Sequence, residues 1–147
     1  MIDSYGGHVY SLFSMLATIK QSPVPVATIA TGKAMSCGAI LFSAGAEGHR
    51  YMDQFATLLI HDVSSTALGK VEEIKASSEE VERLNQIVYK MMAKNIGKPE
   101  DYFLKIVHER GHADLYLSPE ECKTHNLANH IRIPTFKVKV STETIFE

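Results

Sequence analysis

The sequence predicts an α/β fold, and three observations lead there. Short apolar runs at 26–30 (VATIA) and 56–60 (ATLLI) alternate with longer stretches in which apolar residues recur every three or four positions. Proline and glycine fall mainly where those stretches begin or end. The chain has 147 residues, 45% hydrophobic and 22% charged, which is enough for one hydrophobic core and too little for two. A single domain over residues 1–147 is therefore expected.

Each element follows from its own residues. Gly6-Gly7 forms a tight turn, after which Val9, Leu12, Phe13, Leu16 and Ile19 mark one face of a helix that Pro23 and Pro25 terminate. The run 26–30 is apolar and partly β-branched, as a buried strand would be. Gly32 reads as a turn, and the small and apolar residues from Ser36 to Ala46 read as a closely packed helix bounded by Gly45 and Gly48. Residues 50–52 suggest a short strand, and 56–60 a stronger one that ends directly at His61. A long helix is expected over 70–94, with Glu72 and Glu73 near its start and Lys90 and Lys94 near its end, in keeping with the helix dipole. A second helix runs from about residue 100 to 110, ahead of Gly111. Ser118-Pro119-Glu120-Glu121 is a capping box with proline at the first helical position. The tail from Ile131 alternates apolar and polar residues like an edge strand. A glycine turn that opens a helix normally follows a strand, yet five residues precede this one, so the chain is expected to begin with a domain already under way.

Composition narrows the function classes. A formal net charge of −2 gives no overall attraction to nucleic acid or to an anionic membrane. No apolar run approaches the ~20 residues needed to span a bilayer, and Asp3, Gly6, Gly7 and His8 interrupt the start where a signal peptide would lie. Cys37 and Cys122 have neither a disulfide framework nor metal-ligand spacing. The remaining histidines, His8, His49, His108, His112, His125 and His130, share no metal-ligand spacing either. GKAMSCGA lacks the Gly-Lys-Ser/Thr ending of a phosphate loop. The expectation is a soluble, cytoplasmic protein without metal or cofactor.

Three side chains could carry acyl-transfer chemistry. Ser36 follows a strand and turn at the first residues of a helix, where backbone N–H groups and the helix dipole favour an oxyanion. A serine alcohol needs a neighbouring base, and His61 at the end of an apolar strand suits that role. A carboxylate must then hold the imidazole, and Asp114, ahead of the run Leu115–Leu117, is the best placed. Read by spacing alone, Ser36 could equally be a plain N-cap and His61 a strand end without chemistry.

The local words resemble one family. DSYGGHVYSLFSML is similar to the Asn-Ser-Pro-Gly-Gly turn and helix of the Clp protease proteolytic subunit. GKAMSCGAILFSAGAEGHRY resembles that family's nucleophile segment, LLIHDV its base segment, and ADLYLSPEECKTHNLANHI its last segment. The four occur in the family's order and cover most of the chain, and the order serine, histidine, aspartate separates them from other triads. The resemblance implies a ClpP/crotonase-like fold of stacked strands and surrounding helices, with a protruding handle helix in the region 62–94. It implies Ser36 as nucleophile, His61 as general base, Asp114 as its orienting acid, and the backbone N–H groups of Gly7 and Cys37 as oxyanion hole. It also implies an endopeptidase acting on short or unfolded peptides inside a self-associated ring, heptameric by likeness, with a Clp ATPase as a possible partner.

The departures are specific. Tyr5 stands where the family has proline, and Asp62-Val63 where it has Gln-Pro. His112-Ala113 precedes Asp114 irregularly, and the family's front, including surface for docking an ATPase, has no counterpart here. A non-hydrolytic ring subunit that modulates an active partner is the competing reading.

Overall fold

A computed structural model describes residues 1–137 and 140. In chain order it contains β1 (Ile2–Ser4), α1 (Val9–Gln21), β2 (Thr28–Met35), α2 (Cys37–Ser43), β3 (Arg50–Met52) and β4 (Thr57–Ile60). The long α3 (Val71–Asn95) follows, then α4 (Tyr102–Glu109), β5 (Leu115–Leu117), α5 (Pro119–Thr124) and β6 (His130–Ile131). The α/β expectation holds.

β2 organises the sheet. Ala30 pairs with both Ile2 of β1 and Met52 of β3, and Ala34 pairs with both Ser4 of β1 and Leu58 of β4, all in parallel. A strand has two hydrogen-bonding edges, so β1 occupies one while β3 and β4 share the other, one along each half. The sheet forks and curls at that point, with β5 antiparallel to β4 and β6 parallel to β3. β1 was not foreseen as a strand, because three residues are too few to show a period of two.

Two sequence readings need correction here. Gly32 is no turn; it lies within β2, which runs on to Met35. A side-chain carbon at Gly32 would stand 3.0 Å from Asp3 Oδ1, so the missing side chain admits the neighbouring strand instead of bending the chain. The helix expected over Ser36–Ala46 is shorter and spans Cys37–Ser43. It stops because Gly45 passes close to Thr28 and Arg50, leaving no room for a side chain and delivering the Gly45 carbonyl to the Arg50 guanidinium.

The core lies on both sides of α2, which is itself almost wholly buried and packs against β2, α1 and α3. Leu12 and Leu16 of α1 and Leu84, Val88, Tyr89 and Met92 of α3 are buried. Each fully buried aliphatic side chain contributes roughly 1.5–3 kcal/mol. Only the second half of α3 is covered in this way; Val71 and Ile74 near its start are exposed. Arg50 is fully buried and donates to the carbonyls of Leu127, Gly45 and Asn126 and to Glu47, which ties the α2–β3 connection to the segment after α5. The capping box at Ser118 forms as expected. Residues 132–137 form no strand, and the rest of the edge strand expected in the tail lies outside the described residues, apart from residue 140, which is in no strand.

Candidate active site

The register of two adjacent strands puts the first two site residues at one end of the sheet, though among the described residues no hydrogen bond joins the Ser36 hydroxyl to the His61 ring. Met35 is the parallel partner of Leu59, so Ser36 leaves β2 and His61 leaves β4 at the same end of the sheet. The backbone N–H of Ser36 extends the ladder by donating to the Leu59 carbonyl at 2.9 Å. Both side chains line one cavity of about 490 Å³, which Gly7 also borders and which α3 closes with Val81, Leu84 and Val88.

Ser36 is held in an unusual backbone conformation, φ 55° and ψ −125°. Such a conformation costs a non-glycine residue on the order of 1–3 kcal/mol and persists only where its surroundings enforce it. The ladder bond on one side and the first turn of α2 on the other, where Ala39 N–H donates to the Ser36 carbonyl at 2.9 Å, supply that constraint. Ser36 makes no side-chain cap bond, so its hydroxyl is not used as an ordinary N-cap.

The Gly6-Gly7 turn lies directly against this serine. A side-chain carbon on Gly6 would stand 2.6 Å from Ser36 Cβ, so only glycine permits the approach. Ser4 Oγ accepts from Gly6 N–H at 3.1 Å, and Cys37 Sγ donates to the Gly7 carbonyl at 3.1 Å, fixing the turn from both sides. Lys33 pairs with Asp3 and lies 4.3 Å from the ring centroid of Tyr5, so an anchored aromatic occupies the position where the resemblance has proline. Among the described residues, the backbone N–H groups of Gly7 and Cys37 donate to nothing within the chain. Burial pushes the Cys37 thiol above its ordinary range, which keeps it protonated and unfit as a nucleophile beside Ser36.

His61 and Asp114 are not joined by a hydrogen bond among the described residues. The His61 Nδ1 instead meets the backbone carbonyl of Asp62 at 2.5 Å. With Nδ1 donating there, Nε2 is left as the acceptor, the tautomer a general base requires. Asp114 does not line the cavity; it lies near enough to Tyr89 for its charge to help keep that hydroxyl protonated.

The sequence reading assigned no role to a second cluster beside His61. Asp62 Oδ1 accepts from Tyr89 Oη at 2.8 Å, and Asp62 Oδ2 meets His112 Nδ1 at 2.7 Å. Asn85 Oδ1 accepts from Val63 N–H at 2.6 Å. Burial, reinforced by Asp62, raises the Tyr89 hydroxyl far above the ordinary phenol range, so it remains a donor. The available signal was the pair of departures itself: a charge immediately after His61, and an irregular His112-Ala113 ahead of Asp114.

These features describe a curled α/β sheet whose strand-to-helix turn presents a strained serine to a cavity shared with a histidine, the topography of a nucleophile elbow. The model of the Clp protease family matches residues 1–134, and the chain belongs to that family. Among the described residues, no helix is long and apolar enough to cross a membrane, and no group of three or more His, Cys, Asp or Glu side chains could hold a metal ion.

Proposed function

We propose that this protein is a serine endopeptidase in which Ser36 attacks the scissile carbonyl and His61 takes its proton. The single observation that carries the reading is the strained Ser36 sharing one cavity with His61 and with the N–H groups of Gly7 and Cys37, which have no partner among the described residues. Attack converts the carbonyl to an oxyanion, which two preorganised donors would stabilise; losing one such donor typically costs ~10²–10³ in rate. His61 then returns the proton to the leaving amine, and water hydrolyses the acyl-enzyme by the same route. The family resemblance makes Asp114 the acid of this triad, a role that requires it to approach the imidazolium, since among the described residues no hydrogen bond joins it to His61. No step calls for a cofactor.

The apolar walls of the cavity, supplied by Val81, Leu84 and Val88 of α3, suit an extended peptide with an apolar side chain, and short or unfolded peptides are the proposed substrates. The chain acts in a cytoplasmic ring of its own copies, heptameric by family resemblance, with α3 as the handle between rings and a Clp ATPase as a possible partner. The exposed Val71 and Ile74 support self-association, since a handle would cover them.

Fluorophosphonate labelling tests the chemistry and particle mass tests the assembly. Labelling and peptide hydrolysis that both vanish in Ser36→Ala support the reading. A ring-sized particle with neither activity supports the non-hydrolytic alternative, which the lack of a His61–Asp114 bond among the described residues favours.

A further inference from the structure

We propose that Asp62 is a positioning residue for the base, holding the His61 ring through its own main-chain carbonyl while its carboxylate anchors that carbonyl in place. The inference rests on the reading of Ser36 and His61 as nucleophile and base.

Three contacts converge on one residue. The Asp62 carbonyl meets His61 Nδ1, while its two carboxylate oxygens separately meet the Tyr89 hydroxyl and the His112 ring. Tyr89 is buried in the covered half of α3, so one anchor is a rigid donor fixed in the core. The other comes from the turn after α4, where His112 adopts a left-handed φ of 62° right after Gly111 at the same φ. That conformation is uncommon outside glycine, although histidine adopts it more readily than most residues, and in it the ring meets Asp62. Asn85 holds the next residue through Val63 N–H. The peptide between Asp62 and Val63, whose oxygen faces the imidazole, is thus fixed at both of its flanking residues by α3.

This arrangement has a chemical consequence. An orienting acceptor on Nδ1 sets the tautomer and the aim of Nε2, and a backbone carbonyl serves that purpose as a carboxylate does. A carbonyl carries no full charge, so the Asp62 carboxylate acts on the base only by holding that carbonyl, through its bonds to Tyr89 and His112. The Asp62 side chain is 31% exposed against 58% for its partner His112, so Tyr89 is the firmer of the two anchors. His108 stands edge-on to His112, and Glu109 and Arg110 lie on the same α4 end, so His112 is one of several charged or titratable groups around the exposed side of the clamp.

The test is the second-order rate of fluorophosphonate labelling of Ser36 in the full chain, with melting temperature and particle mass followed in parallel. Misplacing a catalytic group by about 1 Å can cost ~10²-fold, so Asp62→Ala is expected to slow labelling by about tenfold or more. Tyr89→Phe should slow it by a smaller factor, and Asp62→Ala with Tyr89→Phe should be no slower than Asp62→Ala alone, because both remove the same tie. Asp62→Asn retains an oxygen for the Tyr89 hydroxyl and should recover most of the rate, which a general loss of packing would not predict. Labelling of Asp62→Ala at the wild-type rate overturns the proposal. So does additivity of the Asp62 and Tyr89 substitutions, or a failure of Asn to rescue at unchanged melting temperature. If Asp62→Ala does not fold, Tyr89→Phe and Asp62→Asn decide the matter. The controls separate the two readings: with labelling lost in Ser36→Ala and slowed in His61→Ala, a normal Asp62→Ala sinks only the positioning role, whereas labelling that survives Ser36→Ala sinks the serine assignment first.

Discussion

Gly6 and Ser36 approach so closely that a methyl group on the glycine would sit 2.6 Å from the serine Cβ and 3.0 Å from the carbonyl oxygen of Met35. Neither neighbour can retreat cheaply, since Met35 is in β2 and Ser36 is already in a strained conformation. Gly6 itself has φ +112°, which L side chains rarely adopt. Gly6→Ala is therefore expected to destabilise the fold by about 1–3 kcal/mol and to displace the Gly7 N–H from the site. Ser36 labelling should slow by ~10²-fold, the scale of a lost oxyanion donor. Urea denaturation and labelling kinetics on the same preparation check both. A fully active and equally stable Gly6→Ala would mean that the turn does not seat the serine.

Much of this was legible in the sequence, and the parts that were not share a physical cause. The long α3, the capping box at Ser118 and the strand ending at His61 carry local signals, in apolar period, cap chemistry and β-branched content. The placement of Ser36 and His61 at one end of the sheet follows from the register of β2 on β4, which no local window contains. Gly32 misled because an isolated glycine signals a turn and a close strand approach equally well; Asp3, twenty-nine residues earlier, decides between them. Asp62 was noticed only as an added charge, since its partners lie twenty-seven residues on at Tyr89 and fifty residues on at His112. Asp114 was chosen by its place ahead of a strand and by the family resemblance of its segment, and neither specifies an acceptor for the His61 ring.

Arg50 offers a stability test away from the chemistry. Its guanidinium is completely buried and spends its donors on three main-chain carbonyls and on Glu47. Replacing it by methionine keeps much of the volume but leaves the carbonyls of Gly45, Asn126 and Leu127 without that donor. An unsatisfied buried acceptor costs about 1–3 kcal/mol, and two of these carbonyl bonds are fully buried, so Arg50→Met should lose at least ~2 kcal/mol in urea denaturation. Arg50→Lys should also destabilise, because an ammonium cannot reproduce the planar fork that reaches two chain segments at once. A wild-type midpoint in either variant would show that the segment after α5 is held by other contacts.

Tyr10 of α1 donates to Glu80 of α3 at 2.5 Å, a bond between two helices that both border the cavity, and Arg83 grips the same carboxylate with two donors at 2.7 Å. The Arg83 hydrogen bonds first, and the Tyr10 hydroxyl second, pull Glu80 down from 4.5 to about 2. A carboxylate whose folded pKa is depressed stabilises the fold above its unfolded value and loses that contribution as pH falls through the folded one. The stability difference between wild type and Glu80→Gln should therefore be level above about pH 5, shrink below it, and be mostly lost by about pH 2. Its size at neutral pH should be small and should fall with added salt, because the carboxylate is open to solvent. Tyr10→Phe removes the helix-to-helix bond while leaving the Arg83 pair, so the Tyr10→Phe protein should retain the larger share of this pH dependence. Urea denaturation of the three proteins between neutral pH and about pH 2 makes the comparison. A Glu80→Gln difference that is unchanged across that range would mean that the charge on Glu80 does no work in joining α1 to α3.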